Sequence, residues 1–228
     1  MIFIRAVFAA VLLAAIPGLA ASTATAQPCP DVQLLFARGT GEPPGVGGVG
    51  QSFADALRAR IGARSLDVHP VNYAASADFA DSMAFALTVI DGIRDATGTI
   101  EATAATCPQT RIVLGGFSQG AAVAGFVTAA EVPPGVPAAF VPPPMPPQIA
   151  DHVAAVVLFG APSARFLADA GAPQVTIGPL YVPKTIQLCA PGDTICDGAP
   201  IGPPSAAHGA YGSDGLVEQG ADFAAGRL

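Results

Sequence analysis

Positive charge is scarce in this chain. Only 10 of 228 residues are Lys or Arg, against 17 Asp or Glu, for a formal net charge of −7 and a pI near 4.7. Such a chain carries no electrostatic footprint for a nucleic-acid backbone, so no nucleic-acid partner is expected. Charged residues of both signs make up only 12%, beside 26 Gly and 23 Pro, which implies a bland, loop-rich surface. Long apolar runs are also lacking, with one exception at the start. Ala6 to Ala20 is apolar apart from Pro17 and Gly18, follows Arg5, and leads to Ala24-Thr25-Ala26. A basic residue, a short apolar run and a small-residue cleavage site define a secretory signal peptide over residues 1–26, with the mature start at Gln27. The run is too short and too interrupted to read as a membrane anchor. Its removal takes Arg5 and no acid, so the net charge moves from −7 to −8. No internal repeat or second domain is visible. Residues 27–228 are therefore expected to form a single domain with its own core. A secreted monomer, extracellular or cell-wall associated, is the corresponding expectation.

Cysteine and histidine are sparse enough to be taken one by one. The four cysteines, Cys29, Cys107, Cys189 and Cys196, are an even number in an exported chain and imply two disulfides. Three pairings are open. Cys189 and Cys196 lie seven positions apart around Pro191-Gly192-Asp193, a spacing that suits a local staple. Cys29 with Cys107 would then close most of the N-terminal half. On the chain-entropy model the long loop is worth roughly 4.5 kcal/mol and the short one about 2.5 kcal/mol. No further Cys or His stands at ligand spacing near this pair, so no metal site is expected.

Chemistry points to Arg111-Ile-Val-Leu-Gly-Gly-Phe-Ser-Gln-Gly-Ala-Ala-Val-Ala-Gly125. Ile112 to Leu114 is a β-favouring apolar run, and Ala121 to Ala130 is strongly helix-forming. Between them Gly116-Phe-Ser118-Gln-Gly120 fits the G-x-S-x-G nucleophile elbow. In that turn the serine takes a strained backbone, and positions 116 and 120 must be small for strand and helix to approach. Further strands are expected at Val32–Ala37, Leu66–Tyr73, Val153–Phe159 and Lys184–Leu188. Helices are expected at Gln51–Ile61, Phe85–Ala105 and Gly215–Ala225. The alternation predicts an α/β fold, a three-layer α/β/α sandwich around one doubly wound parallel sheet. Gly45-Val-Gly-Gly-Val-Gly50 formally matches a dinucleotide fingerprint. Thr40 to Pro44 separate it from the preceding strand, so it reads as a loop rimming a cleft and no cofactor is expected. The proline-dense stretch Val132 to Pro147 reads as an extended loop on the rim away from Ser118.

The partners of Ser118 follow from chain order, which in this class is Ser, acid, His. His69 precedes Ser118 inside a strand, and His152 enters a strand at the wrong rim. His208, in Ser205-Ala-Ala-His-Gly-Ala-Tyr211, remains as the base. Asp193 leaves the last strand on the correct rim, inside the Cys189/Cys196 loop, and Asp197 competes with it for the role of acid. Nothing else in the local sequence would hold that loop. Phe79, Met83, Phe85 and Tyr211 could line an apolar mouth or belong to the core.

Phe36-Ala-Arg-Gly-Thr40, Gly115-Gly-Phe-Ser-Gln-Gly-Ala121, Cys189-Ala-Pro-Gly-Asp-Thr-Ile-Cys196 and His208-Gly-Ala-Tyr211 span the mature chain in order, and together they resemble the cutinase family. The resemblance is strongest to the secreted cutinase-like esterases of mycobacteria. It implies a lidless α/β-hydrolase with Ser118 as nucleophile, Asp193 rather than Asp197 as acid, and His208 as base. It also implies the pairings Cys29–Cys107 and Cys189–Cys196, and an oxyanion hole from the backbone N–H groups of Thr40 and Gln119. Fungal members carry Ser where Thr40 stands, and Pro133–Pro147 looks like an insertion. The implied activity is hydrolysis of carboxylic esters through an acyl-enzyme, on cutin-like polyester, short or medium acyl esters, or lipids. The implied partner is an ester or lipid substrate, with transient contact to lipid or cell-wall surfaces. A phospholipase or acyltransferase would use the same residues. A non-catalytic cell-wall lipid-binding protein is the alternative of another class.

Overall fold

Five strands run parallel in the order β2-β1-β3-β4-β5. They are β1 (Val32–Ala37), β2 (Leu66–Pro70), β3 (Arg111–Phe117), β4 (Val153–Phe159) and β5 (Thr185–Leu188). The helices between and after them are α1 (Gly47–Arg58), α2 (Ser82–Thr106), α3 (Gln119–Val127), α4 (Ala164–Asp169) and α5 (Leu216–Ala225). The structure is a computed structural model that describes residues 28–228, so the signal-peptide reading of residues 1–26 falls outside the described residues. Among the described residues no helix is long and apolar enough to cross a membrane.

Strand alternation sorts the core into two halves. Leu34, Phe36, Val113, Val157 and Phe159 face α1 and α5, where they meet Phe53, Leu57, Val217 and Ala221. Leu35, Ile112, Leu114, Val156 and Leu158 face the other way, onto Ala96 and Ile100 of α2 and Val123 and Val127 of α3. This is the expected α/β/α sandwich, its inner strands β1, β3 and β4 buried on both faces because both are covered.

The order in which strands are laid down reverses at the centre of the sheet. From β1 the chain crosses to β2 on one side and returns to place β3 on the other. The carboxyl ends of β1 and β3 are thus the switch point, where an open α/β sheet leaves a crevice. Thr40 follows β1 and Ser118 follows β3, so both lie at this crevice.

Some element ends differ from expectation. β2 stops at Pro70 rather than Tyr73, although the Val71 N–H still donates to the Phe36 carbonyl of β1 at 2.9 Å. Helix α2 starts at Ser82, earlier than Phe85, because the Asp81 carboxylate accepts the Ala84 N–H at 2.9 Å as an N-cap. Helix α1 starts at Gly47, inside the glycine run that reads as loop. Helix α3 runs away from Ser118 and ends at Val127, so the proline-rich segment sets out from the amino ends of the strands. The Phe140 carbonyl there accepts from Arg94 of α2 at 3.3 Å.

Candidate active site

The turn between β3 and α3 is as tight as the sequence implies. Ser118 has φ 55° and ψ −119°, and among the described residues only Ala75 shares a positive φ without being glycine. Such a conformation costs of order 1–3 kcal/mol and persists only where the surroundings over-determine it. Here they do. The Ser118 N–H donates to the Phe159 carbonyl of β4 at 2.9 Å, and its carbonyl accepts the Ala122 N–H at 3.1 Å. A Cβ on Gly116 would lie 2.1 Å from the Gly120 oxygen, and one on Gly120 would lie 2.0 Å from the Ala37 oxygen. Both positions are glycine because backbone passes within touching distance of backbone.

Ser118, His208 and Asp193 form one chain of hydrogen bonds. His208 Nε2 is 2.8 Å from Ser118 Oγ, and His208 Nδ1 is 2.8 and 2.9 Å from the two oxygens of Asp193. A carboxylate can only accept, so Nδ1 carries the proton and Nε2 presents its lone pair to the serine hydroxyl. Asp193 is fully buried and His208 nearly so. The imidazole stacks against Phe117, with ring centroids 4.9 Å apart.

Asp193 is held by more than the disulfide. Its Oδ1 accepts the Ile195 N–H at 3.0 Å and its Oδ2 accepts the Tyr211 hydroxyl at 2.7 Å. Tyr211 in turn accepts the Ala190 N–H at 3.0 Å, and Ser205 Oγ donates to the Gly192 carbonyl at 2.8 Å. The Cys196 sulfur, which carries no proton in its disulfide, touches Oδ2 at 3.1 Å. The reading that the staple alone holds this loop is therefore corrected, because the bonds from Tyr211 and Ser205 span 13 to 21 positions and local pattern does not reveal them. Of the two readings open for Tyr211, mouth or core, the structure gives the core. It is completely buried against Phe117 and Phe159 and lines no mouth. Burial, and then the neighbouring Asp193 carboxylate, raise its pKa above the usual phenol range, so it remains a donor. Tyr211→Phe keeps the ring and removes one donor and one acceptor. It is expected to lower kcat about tenfold and to cost about 1–3 kcal/mol in urea unfolding, the penalty for the stranded Ala190 N–H.

Asp197, the competing acid, is exposed and accepts the Ala199 N–H at 2.9 Å. His69 sits in β2 beside Leu35, and His152 lies at the amino end of β4. Cys29 pairs with Cys107 and Cys189 with Cys196. Among the described residues, one group of metal-type ligands clusters, Cys189 with Asp193 and Cys196, and its two sulfurs are bonded to each other.

Thr40 and Gln119 face the crevice from its two sides. Gln119 opens α3, where the helix dipole is positive. Among the described residues, no backbone carbonyl takes the N–H of Thr40 or of Gln119. The loop around Thr40 is clamped. The Gly41 N–H donates to the Ala75 carbonyl at 2.7 Å, and the buried Arg38 donates to the carbonyls of Glu42 at 2.8 Å and Tyr73 at 2.5 Å. The Tyr73 hydroxyl returns a bond to the Arg38 carbonyl. Sequence reading missed Glu42, Arg38 and Tyr73. The only local signal was Arg38, a charged residue directly after a buried strand.

A family model for Cutinase matches residues 28–228. The chain belongs to the cutinase family. It is a carboxylic ester hydrolase with that family's α/β fold. The chain is 62% identical over 171 residues to "Probable carboxylesterase Culp7" of Mycobacterium tuberculosis, covering 74% of this chain and 88% of the relative. It is 42% identical over 225 residues to "Phospholipase Culp4" of the same organism, covering 99% and 90%. A solved Trichoderma reesei cutinase in complex with a C11Y4 phosphonate inhibitor superposes with a TM-score of 0.61 at 29% identity, covering 86% of this chain and 76% of that one.

Proposed function

We propose that this cutinase-family hydrolase is a secreted serine esterase working through an acyl-enzyme on Ser118. The observation that carries the reading is the continuous hydrogen-bond chain Ser118–His208–Asp193. In this mechanism His208 takes the Ser118 proton as Oγ attacks an ester carbonyl. The N–H groups of Thr40 and Gln119 receive the developing oxyanion. His208 then protonates the departing alcohol, and water brought in by the same imidazole releases the acid. Asp193 holds the imidazole in its productive tautomer throughout. No step calls for a metal or a cofactor. The test is a fluorophosphonate probe followed by peptide mapping. Label on the peptide containing Ser118 supports the reading, and an unlabelled native protein would favour a lipid-binding protein without catalysis.

The chain is proposed to act outside the cell as one domain, residues 27–228, after loss of residues 1–26, and as a monomer. Its substrates are proposed to be short or medium acyl esters presented at lipid or cell-wall surfaces. Support comes from the exposed Phe79, Met83 and Leu87, which lie next to the segment Ser76–Ala77 at the crevice. The Gln119 side chain donates to the Ser76 carbonyl, and the methyl of Ala77 faces Gly41. The Phe79 ring packs on that of Phe85, with centroids 5.0 Å apart. Its charged neighbours, Asp78 and Asp81, are acidic and exposed, which favours an uncharged or zwitterionic surface over an anionic one. The likeness to a relative named phospholipase supports phospholipid as a second substrate.

Burying one large apolar side chain is worth about 1.5–3 kcal/mol. The double variant Phe79→Ser with Met83→Ser is therefore expected to weaken adsorption to phosphatidylcholine vesicles at least tenfold. Turnover of a soluble acetate ester should stay within about twofold. Comparing vesicle sedimentation with turnover across a chain-length series of chromogenic esters checks both the surface and the substrate class.

A further inference from the structure

The glycine run Gly45–Gly50 has no part in the mechanism above, yet its last four residues, Gly47 to Gly50, are built into the start of α1. Glycine is a poor helix former, so glycines inside a helix need a local reason. At Gly50 the reason is the Phe36 ring, 2.6 Å from where a Cβ would stand, and at Gly47 it is the side chain of Glu42. One of its oxygens accepts the Gly39 N–H at 2.6 Å and the other accepts the Gly48 N–H at 2.8 Å. A Cβ at Gly47 would stand 2.3 Å from Glu42 Oε2, and Gly47 has φ +73°. Only glycine leaves that seat open. A negative group at the first turn of a helix is also favoured by the helix dipole. The start of α1 is therefore the receptacle for a carboxylate of this chain, and Glu42 takes the Gly48 amide.

Glu42 is well placed to receive this work. Pro43 restricts its backbone to an extended conformation. Its carbonyl accepts from Arg38, so main chain and side chain are both tied. Between its two anchor points, Gly39 and Gly48, stands Thr40. We propose that Glu42 is a positioning residue of the oxyanion loop. Its carboxylate pins the Gly39 amide to the start of α1 and so holds the Thr40 N–H where the substrate oxyanion develops. The inference rests on the reading of Thr40 as an oxyanion donor. Glu42 itself touches no reacting atom.

Loss of a single oxyanion donor typically costs about a hundredfold or more in kcat, and an error of about 1 Å in placement costs a comparable factor. Two variants separate positioning from mere stability. Glu42→Ala removes both acceptor oxygens. Glu42→Gln keeps one carbonyl oxygen and the side-chain volume. Expected are a fall in kcat of about a hundredfold for Ala and about tenfold for Gln, with KM for a soluble butyrate ester within about threefold. The inhibition constant of an alkyl trifluoromethyl ketone, which forms a tetrahedral oxyanion on the serine, should rise in parallel with the loss of kcat/KM. Circular dichroism and urea unfolding are followed on the same samples. If Glu42→Ala does not fold, Glu42→Gln decides alone. Activity within twofold of the parent, a loss carried by KM, or an unchanged ketone constant would each overturn the role of Glu42. Failure of the parent enzyme to take a fluorophosphonate label would instead overturn the serine-esterase reading beneath it.

Discussion

Ser118→Ala is expected to lower ester turnover by about four to six orders of magnitude and to leave the fold in place. Both halves follow from where the hydroxyl points. It makes no capping bond to α3. Its hydrogen-bond partner is His208 Nε2, so its loss strands no backbone group. The bonds that fix residue 118, from its N–H to Phe159 and from Ala122 to its carbonyl, are main-chain bonds that alanine keeps. Alanine also tolerates a positive φ no worse than serine does, so the strain of the turn is unchanged. A stability change below about 1 kcal/mol in urea unfolding is therefore expected. Residual hydrolysis should reflect only the oxyanion donors and substrate binding, which alone supply about 10³–10⁴-fold over water in triad enzymes. Hydrolysis of a p-nitrophenyl butyrate substrate by the purified variant is the measurement. A variant that kept even about a hundredth of the parent rate would remove Ser118 from the mechanism, since nucleophile deletions cost far more.

What the sequence reveals and what it hides divide along a physical line. β1 and β4 could be read to the residue because a strand covered on both faces is a continuous apolar run with abrupt ends. The elbow was legible because strand, turn and helix are contiguous, and backbone contact at Gly116 and Gly120 leaves only one residue type. His208 was reachable because three histidines can be placed on rims by topology alone. The hidden parts are the braces. Tyr211 lies 18 residues from the carboxylate it supports, and Tyr73 lies 35 residues from the carbonyl it bonds. A tyrosine's periodicity reports an apolar ring and says nothing of its hydroxyl. The glycine run misled for a related reason. Glycine propensity argues against a helix, while the seat of Glu42 requires glycine inside one, and only the folded arrangement decides between them.

Asp193→Asn is expected to lower kcat by about 10⁴, and Asp197→Asn to leave it within about twofold. The two acids stand four positions apart in one loop, and their surroundings separate them. Asp193 is completely buried and faces three donors, the Ile195 N–H, the Tyr211 hydroxyl and His208 Nδ1. An asparagine there fits the same space but has one acceptor oxygen and an amino group that must point somewhere. With its oxygen on Ile195, the amino group faces His208 Nδ1 and donates to it. The imidazole proton then moves to Nε2, pointing at Ser118, and the lone pair that should accept the serine proton is lost. The geometry survives and the tautomer is wrong, so the loss falls on kcat with little change in KM or in fold. Asp197 is exposed, and the Ala199 N–H it accepts can go to an asparagine oxygen as well. Full kinetic curves with near-ultraviolet circular dichroism on both variants give the answer. A crippled Asp197→Asn beside an active Asp193→Asn would transfer the acid's role to the exposed residue. Loss of fold in Asp193→Asn would show that the buried carboxylate is needed first by the loop and only then by the imidazole.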